Sequence, residues 1–195
     1  MKKLFALAFA VVFATTTFAQ KPSEEPNPLK DAKVGDFAKY KMSMSILGMN
    51  IDMEATTTVV KKSEKEATLE TEVKSDGNLP IPNQKQTQVV DLTKPLDPAK
   101  SMNLPEGTEA KIEKLKDGKE KIKVNGKEYD CTWETYKMKM KQMGMDIDAD
   151  VKVWNAKGFK FGSVKMEMKM EVLGNKMDMT MELIESGSGK KGSDD

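Results

Sequence analysis

Residues Ser163–Ile184 read SVKMEMKMEVLGNKMDMTMELI. Apolar and charged or polar residues alternate up to Leu173-Gly174 and alternate again beyond it. Alternation with period two around a turn dipeptide predicts a β-hairpin with one apolar and one wet face. The apolar face is almost wholly thioether: Met166, Met168, Met170, Met177, Met179 and Met181.

Charge predicts the register of this hairpin. With the turn at Leu173-Gly174, Glu171 faces Lys176, Lys169 faces Asp178 and Lys165 faces Glu182. On the other face the same register sets Met170 against Met177, Met168 against Met179, and Met166 against Met181. A turn at Gly174-Asn175 would oppose Glu171 to Asp178 and Glu167 to Glu182. Each directly opposed pair contributes roughly 0.2–1 kcal/mol, so the matched set selects the first register.

Two earlier segments repeat the construction, Tyr40–Val59 around Gly48 and Tyr136–Trp154 around Gly144. In the second, pairing Gln142 with Met145 sets Lys141–Asp146, Lys139–Asp148 and Lys137–Asp150 opposite one another; in the first, Lys41 faces Glu54. The three segments hold every one of the 16 methionines except Met1 and Met102. Their unequal spacing rules out a solenoid. Met42, Met44, Met53, Met138 and Met140 thereby join the six methionines of the last hairpin as candidate apolar-face or ligand-contacting residues.

The rest of the chain also reads as β. Strands are expected around Ala67–Lys74 and Gln84–Leu92. A polar hairpin is expected over Thr108–Lys116 and Lys119–Val124, turning at Asp117-Gly118. Asn125-Gly126 predicts a type I′ turn into a long strand, Lys127–Lys141. Within it the apolar phase moves from Tyr129, Cys131 and Trp133 to Tyr136, Met138 and Met140, which predicts a β-bulge near Glu134-Thr135. Pro28–Lys33 has room for one helical turn, as does Asp97–Met102 inside the irregular connection Thr93–Gly107. The fold class is all-β: an antiparallel meander of about ten strands, curved into a half-barrel or closed as a barrel, with no substantial helix after the leader.

Met1–Ala19 has the form of a signal peptide: Lys2 and Lys3, an apolar run from Leu4 to Ala14, and small residues at Thr17 and Ala19. The run is too short to span a bilayer and no second one follows, so no transmembrane segment is expected in the mature chain. Residues 20–33 read as a linker, 34–185 as a single β domain, and 186–195 as a disordered Gly/Ser/charged tail. The expected location is the periplasm or the extracellular space.

The formal net charge is +1 over 195 residues, and two lysines leave with the leader. No long-range field therefore favours nucleic acid as a partner. Histidine is absent, and every base is lysine. Without the usual neutral-pH acid/base, or the planar fork that grips phosphate and carboxylate, a non-enzyme with no cofactor is expected. Cys131, the one cysteine, has no partner for an intrachain disulfide and reads as a small strand hydrophobe, with an intermolecular disulfide as the other reading.

Two motif matches fail on context. Asp146-x-Asp148-x-Asp150 begins like a calcium loop, but Val151 and Lys157 stand where glycine and glutamate are required. Gly187–Gly192 spells a dinucleotide fingerprint with too little chain after it for a helix.

Several readings of the methionine face stand side by side. It is the core, methionine filling irregular space. It is a groove for an acyl chain or an apolar segment of an envelope protein. Or Met166, Met168, Met170, Met177, Met179 and Met181 hold Cu(I) or Ag(I) through their sulfurs. Sacrificial methionine oxidation is a further reading.

The pattern Val34-Gly35-Asp36-Phe37-x-x-Tyr40, then Gly126-Lys127-x-Tyr129-x-Cys131, Trp154-Asn155 and Gly162-x-Val164-Lys165, resembles exported bacterial proteins of unknown function. Their sheets are similar to the half-barrels of LolA/LolB-like lipoprotein carriers. The resemblance covers most of the chain after the leader and implies a curved sheet; it carries over no functional residue.

Overall fold

A computed structural model describes residues 27–46, 49–75, 84–94, 109–142, 145–172 and 174–189. The leader, the turn at Asp97–Met102 and most of the linker lie outside these residues.

Nine strands form one sheet: β1 (Asp36–Ile46), β2 (Met49–Lys62), β3 (Glu66–Ser75), β4 (Gln84–Asp91), β5 (Glu109–Val124), β6 (Lys127–Gln142), β7 (Met145–Ala156), β8 (Ser163–Val172) and β9 (Asn175–Ser188). All neighbours are antiparallel, in the order β4-β3-β2-β1-β9-β8-β7-β6-β5. β4 and β5 are edges, so the sheet is an open, curved half-barrel rather than a closed barrel.

The methionine hairpins adopt the charge-selected register. Lys165↔Glu182, Lys169↔Asp178 and Glu171↔Lys176 oppose one another in β8–β9, as do Lys137↔Asp150, Lys139↔Asp148 and Lys141↔Asp146 in β6–β7. Lys165 and Glu182 meet at 3.0 Å, and Lys139 and Asp148 at 3.8 Å. In β1–β2, Lys41 faces Glu54 in register. The ion pairs there run diagonally, Lys39–Glu54 at 2.6 Å and Lys41–Asp52 at 3.3 Å. Long side chains reach diagonal neighbours in a twisted ladder. Asn125 and Gly126 turn β5 into β6 with φ of 47° and 79°, as a type I′ turn requires.

Among the described residues the strand count is nine instead of ten because β5 is continuous. Asp117-Gly118 is no turn: Gly118 sits in the ladder opposite Trp133. A Cβ there would lie 2.7 Å from the indole ring, so the glycine is required by the ring and not by a bend. The bulge expected at Glu134-Thr135 is also displaced. β6 pairs with β7 without a register shift, and the extra residue is Leu115, across the ladder in β5. The two apolar phases of β6 therefore serve opposite faces. Tyr136, Met138 and Met140 join the methionine face, while Trp133 lies on the charged face beside Trp154. Lys152 stands over both indoles, 4.8 and 4.3 Å from the ring centres.

Further register shifts fall at Val60 in β2, Ile184 in β9 and Val164 in β8. Bulges bend strands. The bend shows where the β5–β6 tip reaches β9: the Asn125 side-chain amide donates to the carbonyl of the bulged Ile184. In a flat sheet four strand spacings, roughly 19 Å, would separate β5 from β9.

β9 runs on to Ser188, into what composition reads as tail, pairing Ser186, Gly187 and Ser188 with Ala38, Phe37 and Asp36. The predicted helical turn is a 3-10 turn at Pro28–Asp31. Asn27 and Leu29 are buried; Asn27 caps the turn by accepting from the Leu29 N–H, and its amide donates to the carbonyls of Asp91 and Lys94.

Candidate functional site

Because the side-chain period of a strand is two, each register places one residue per strand in a row across the sheet. One row reads Met53–Met42–Met181–Met166 over β2, β1, β9 and β8. The next is Ile51–Met44–Met179–Met168–Val151. A third is Met177–Met170–Ala149–Met138. Nine of the eleven sequence-derived candidates thus form one continuous thioether surface on β1, β2, β8 and β9. Met138 and Met140 lie on β6, set apart from the β8 methionines by Ala149 and Ile147 of β7.

All eleven are buried, from 0% exposed at Met53 and Met138 to 9% at Met177. They share one hydrophobic cluster with Tyr40, Ala55, Val59, Leu69 and Leu183. The six methionines of the copper reading oppose one another as the three pairs Met166–Met181, Met168–Met179 and Met170–Met177. Chemically the surface is soft, polarizable and unbranched, suited to apolar contact or to thioether coordination of a monovalent soft ion.

Sequence reading missed two buried charges. Glu134, 1% exposed, continues the methionine-face parity of Tyr136, Met138 and Met140 back by two residues, which is the signal that would have found it. One carboxylate oxygen accepts from Lys114 Nζ at 2.8 Å, the other from the Tyr136 hydroxyl at 2.5 Å. Burial alone would lower the Lys114 pKa, but Glu134 and Asp117 outweigh it and hold the ammonium above the ordinary lysine value. Burial, and then Glu134, push the Tyr136 phenol well above its ordinary range. The cluster is a charged inset at the β5–β6 end of the apolar face.

The second is Asp36 of the Val34-Gly35-Asp36-Phe37 motif, 1% exposed. It accepts from Lys160 Nζ at 2.7 Å, from the Lys33 N–H at 2.8 Å and from the Ser188 hydroxyl. One carboxylate thereby ties the start of β1, the β7–β8 connection and the end of β9. Tyr40 of the same motif donates to the Ser163 carbonyl at 3.1 Å. The motif residues are framework.

Cys131 is buried, and burial, with Glu120 and Asp130 nearby, pushes its thiol up to about 11. Asp148 and Asp150 of the calcium-like triplet face Lys139 and Lys137, as a strand face does.

Neither a family profile nor a curated protein matches the chain. Solved structures do match in fold. A protein from Parabacteroides distasonis described as a lipoprotein aligns with a TM-score of 0.53 at 9% identity, over 84% of this chain and 100% of the other. A protein from Bacteroides fragilis described as exported, with a YmcC-like fold, aligns with a TM-score of 0.52 at 8% identity, over 80% and 97%. At such identities the likeness is one of fold: this sheet is built as those of exported bacterial β-sheet proteins are.

Proposed function

We propose that the protein is a non-enzymatic, exported binding module of the cell envelope whose methionine face, buried within the chain itself, opens to hold an apolar ligand, an acyl chain or an apolar polypeptide segment. The observation that carries this reading is the contiguity of the thioether surface over β1, β2, β8 and β9. A core needs volume and shape, and branched side chains with fixed rotamers supply both well. A surface that must fit chains of varying shape gains from flexible, polarizable side chains. The leader-like Met1–Ala19 supports export, and the absence of histidine and arginine from the sequence supports a role without acid–base or phosphoryl chemistry.

The opposed methionine pairs favour a second reading, Cu(I) or Ag(I) held by thioethers. One experiment separates the two: native mass spectrometry of protein purified from its own envelope fraction, with and without added Ag(I). A co-purifying lipid or peptide mass supports the apolar-ligand reading. A silver adduct lost in the M168L/M179L variant, with the circular dichroism spectrum unchanged, supports the metal reading. A bare chain mass that neither lipid micelles nor Ag(I) shifts refutes both and leaves the face as plain core.

A further inference from the structure

At one end the methionine face runs up to the connection between β7 and β8, residues 157–162. Tyr40 and Leu183, paired across β1 and β9, follow Met42 and Met181 on the same face. The Tyr40 hydroxyl donates to the carbonyl of Ser163, at the foot of this connection. Phe161, 6% exposed, belongs to the same hydrophobic cluster as the methionines, and Phe159 packs against that cluster. Gly158 and Gly162 bracket the two rings with φ of 73° and 79°. A Cβ at Gly158 would meet nothing within 4 Å, so its backbone angle and not crowding calls for glycine. The backbone bonds of the connection close on itself: the Phe159 N–H donates to Ala156, that of Gly162 to Phe159, and that of Ala156 to Gly162. It is tied to β6 at its root, where the Lys157 N–H donates to the Asp130 carbonyl. At its middle, Lys160 Nζ reaches Asp36, the carboxylate buried at the start of β1, at 2.7 Å.

We propose that this connection is a lid: it swings on Gly158 and Gly162, lifts Phe159 and Phe161 off the core, and admits an apolar chain to the methionine face when the Lys160–Asp36 pair parts. The proposal rests on the reading of that face as a ligand site and names the door by which a buried face is reached. A face enclosed by a sheet is entered at lowest cost where its cover is side chain and not ladder. A turn whose backbone bonds are internal moves as a unit, and its swing breaks no strand pairing. The latch parts without stranding a charge. Asp36 keeps its bonds from the Lys33 N–H and the Ser188 hydroxyl. Lys160, its side chain 38% exposed, returns its ammonium to water. The remaining cost of opening is the exposure of two phenyl rings, and an apolar chain passing beneath them covers them again.

Hydrogen exchange of the native protein reads the lid alone. The amides of Ala156, Phe159 and Gly162 should exchange together, well before those of mid-β7 and mid-β8, and Lys160→Met should speed them roughly tenfold while β8 keeps its rate. Stopped-flow binding of N-phenyl-1-naphthylamine, an uncharged apolar fluorophore, reads the door: Lys160→Met should raise its association rate roughly tenfold. Lys39→Met, which removes an ion pair of 2.6 Å elsewhere on β1, should change neither. Lid amides that exchange no sooner than those of β7 and β8, or a Lys160→Met variant that speeds β8 equally, overturn the lid. So does a probe that binds the parent and Lys160→Met at the same rate; the ligand reading then stands without it. A probe that binds no form of the protein overturns the ligand reading and the lid together.

Discussion

Gly118→Ala is the sharpest perturbation of the fold, because two effects of known sign compete there. In a regular strand, replacing glycine with alanine stabilises by ~0.4–1 kcal/mol, through the smaller entropy of the unfolded chain. At Gly118 the new methyl carbon would stand 2.7 Å from two atoms of the Trp133 ring and 2.9 Å from its indole nitrogen. Carbon contacts settle near 3.5–4.0 Å, so the ring must retreat by about 1 Å. The Trp133 ring also packs under the Lys152 ammonium, which stands over Trp154 as well. Overpacking of this kind costs about 1–3 kcal/mol. The expected net effect is a loss of about 1–2 kcal/mol, which lowers Tm by roughly 3–6 °C in a domain of this size. The measurement is urea unfolding followed by far-ultraviolet circular dichroism, since tryptophan fluorescence changes with the ring itself. In the Trp133→Leu background the clash is relieved, and Gly118→Ala becomes neutral or stabilising. A Gly118→Ala variant as stable as the parent, or an effect unaltered by Trp133→Leu, refutes the argument that the indole is why glycine stands in β5.

Three further predictions follow from the buried groups. Glu134→Ala removes the buried carboxylate that accepts from both the Tyr136 hydroxyl and Lys114 Nζ, while Lys114 keeps Asp117 at 3.2 Å; the expected loss is about 1–3 kcal/mol in urea unfolding. Asp36 suffers from burial, but its bonds from Lys160, Ser188 and the Lys33 N–H hold its pKa below 3.8. Its contribution is thus full above the unfolded-chain value and is lost as pH falls through the lower folded value. Asp36→Asn should therefore lower the urea midpoint at neutral pH and flatten its decline below about pH 4. Cys131, its thiol pushed up to about 11 by burial, should resist alkylation at neutral pH in the native protein and react at once in denaturant; rapid native labelling would contradict its placement.

The hairpin registers were legible in the sequence because the wet faces of paired strands carry opposite charges: Lys165, Lys169 and Glu171 against Glu182, Asp178 and Lys176 in the last hairpin, and three lysines against three aspartates in the middle one. What lay beyond reach was set by residues distant in the chain. Asp117-Gly118 has the composition of a turn, and the reason for its glycine, the indole of Trp133 across the ladder, lies fifteen residues on. The phase change in β6 was visible, but alternation cannot tell a bulge in the strand from a switch in which face is apolar, and the bulge lies across the ladder at Leu115. Ser186, Gly187 and Ser188 read as tail, since β-propensity is low there; pairing with Ala38, Phe37 and Asp36 overrides it. Among the candidate site residues, the parity of Met138 and Met140 was readable, while Glu134 on the same parity was passed over because a charge is not sought on an apolar stripe.

The pairing of β1 with β9 has a consequence for how the chain comes to be folded. Read from β5, the sheet order is β5-β6-β7-β8-β9-β1-β2-β3-β4, so every neighbour is a neighbour in sequence except across this one ladder, where Asp36 meets Ser188. There the Gly189 N–H donates to the Gly35 carbonyl, as though the two strands were a hairpin lacking its turn. The natural chain must therefore hold its first strand unpaired on one side until its last strand is made, the costliest kind of loop closure. A circular permutant joined by a linker from Gly189 to Asn27, keeping the buried turn at Pro28–Asp31, and opened between β4 and β5, would make every pair of neighbouring strands consecutive. It should keep the native ladder while folding faster.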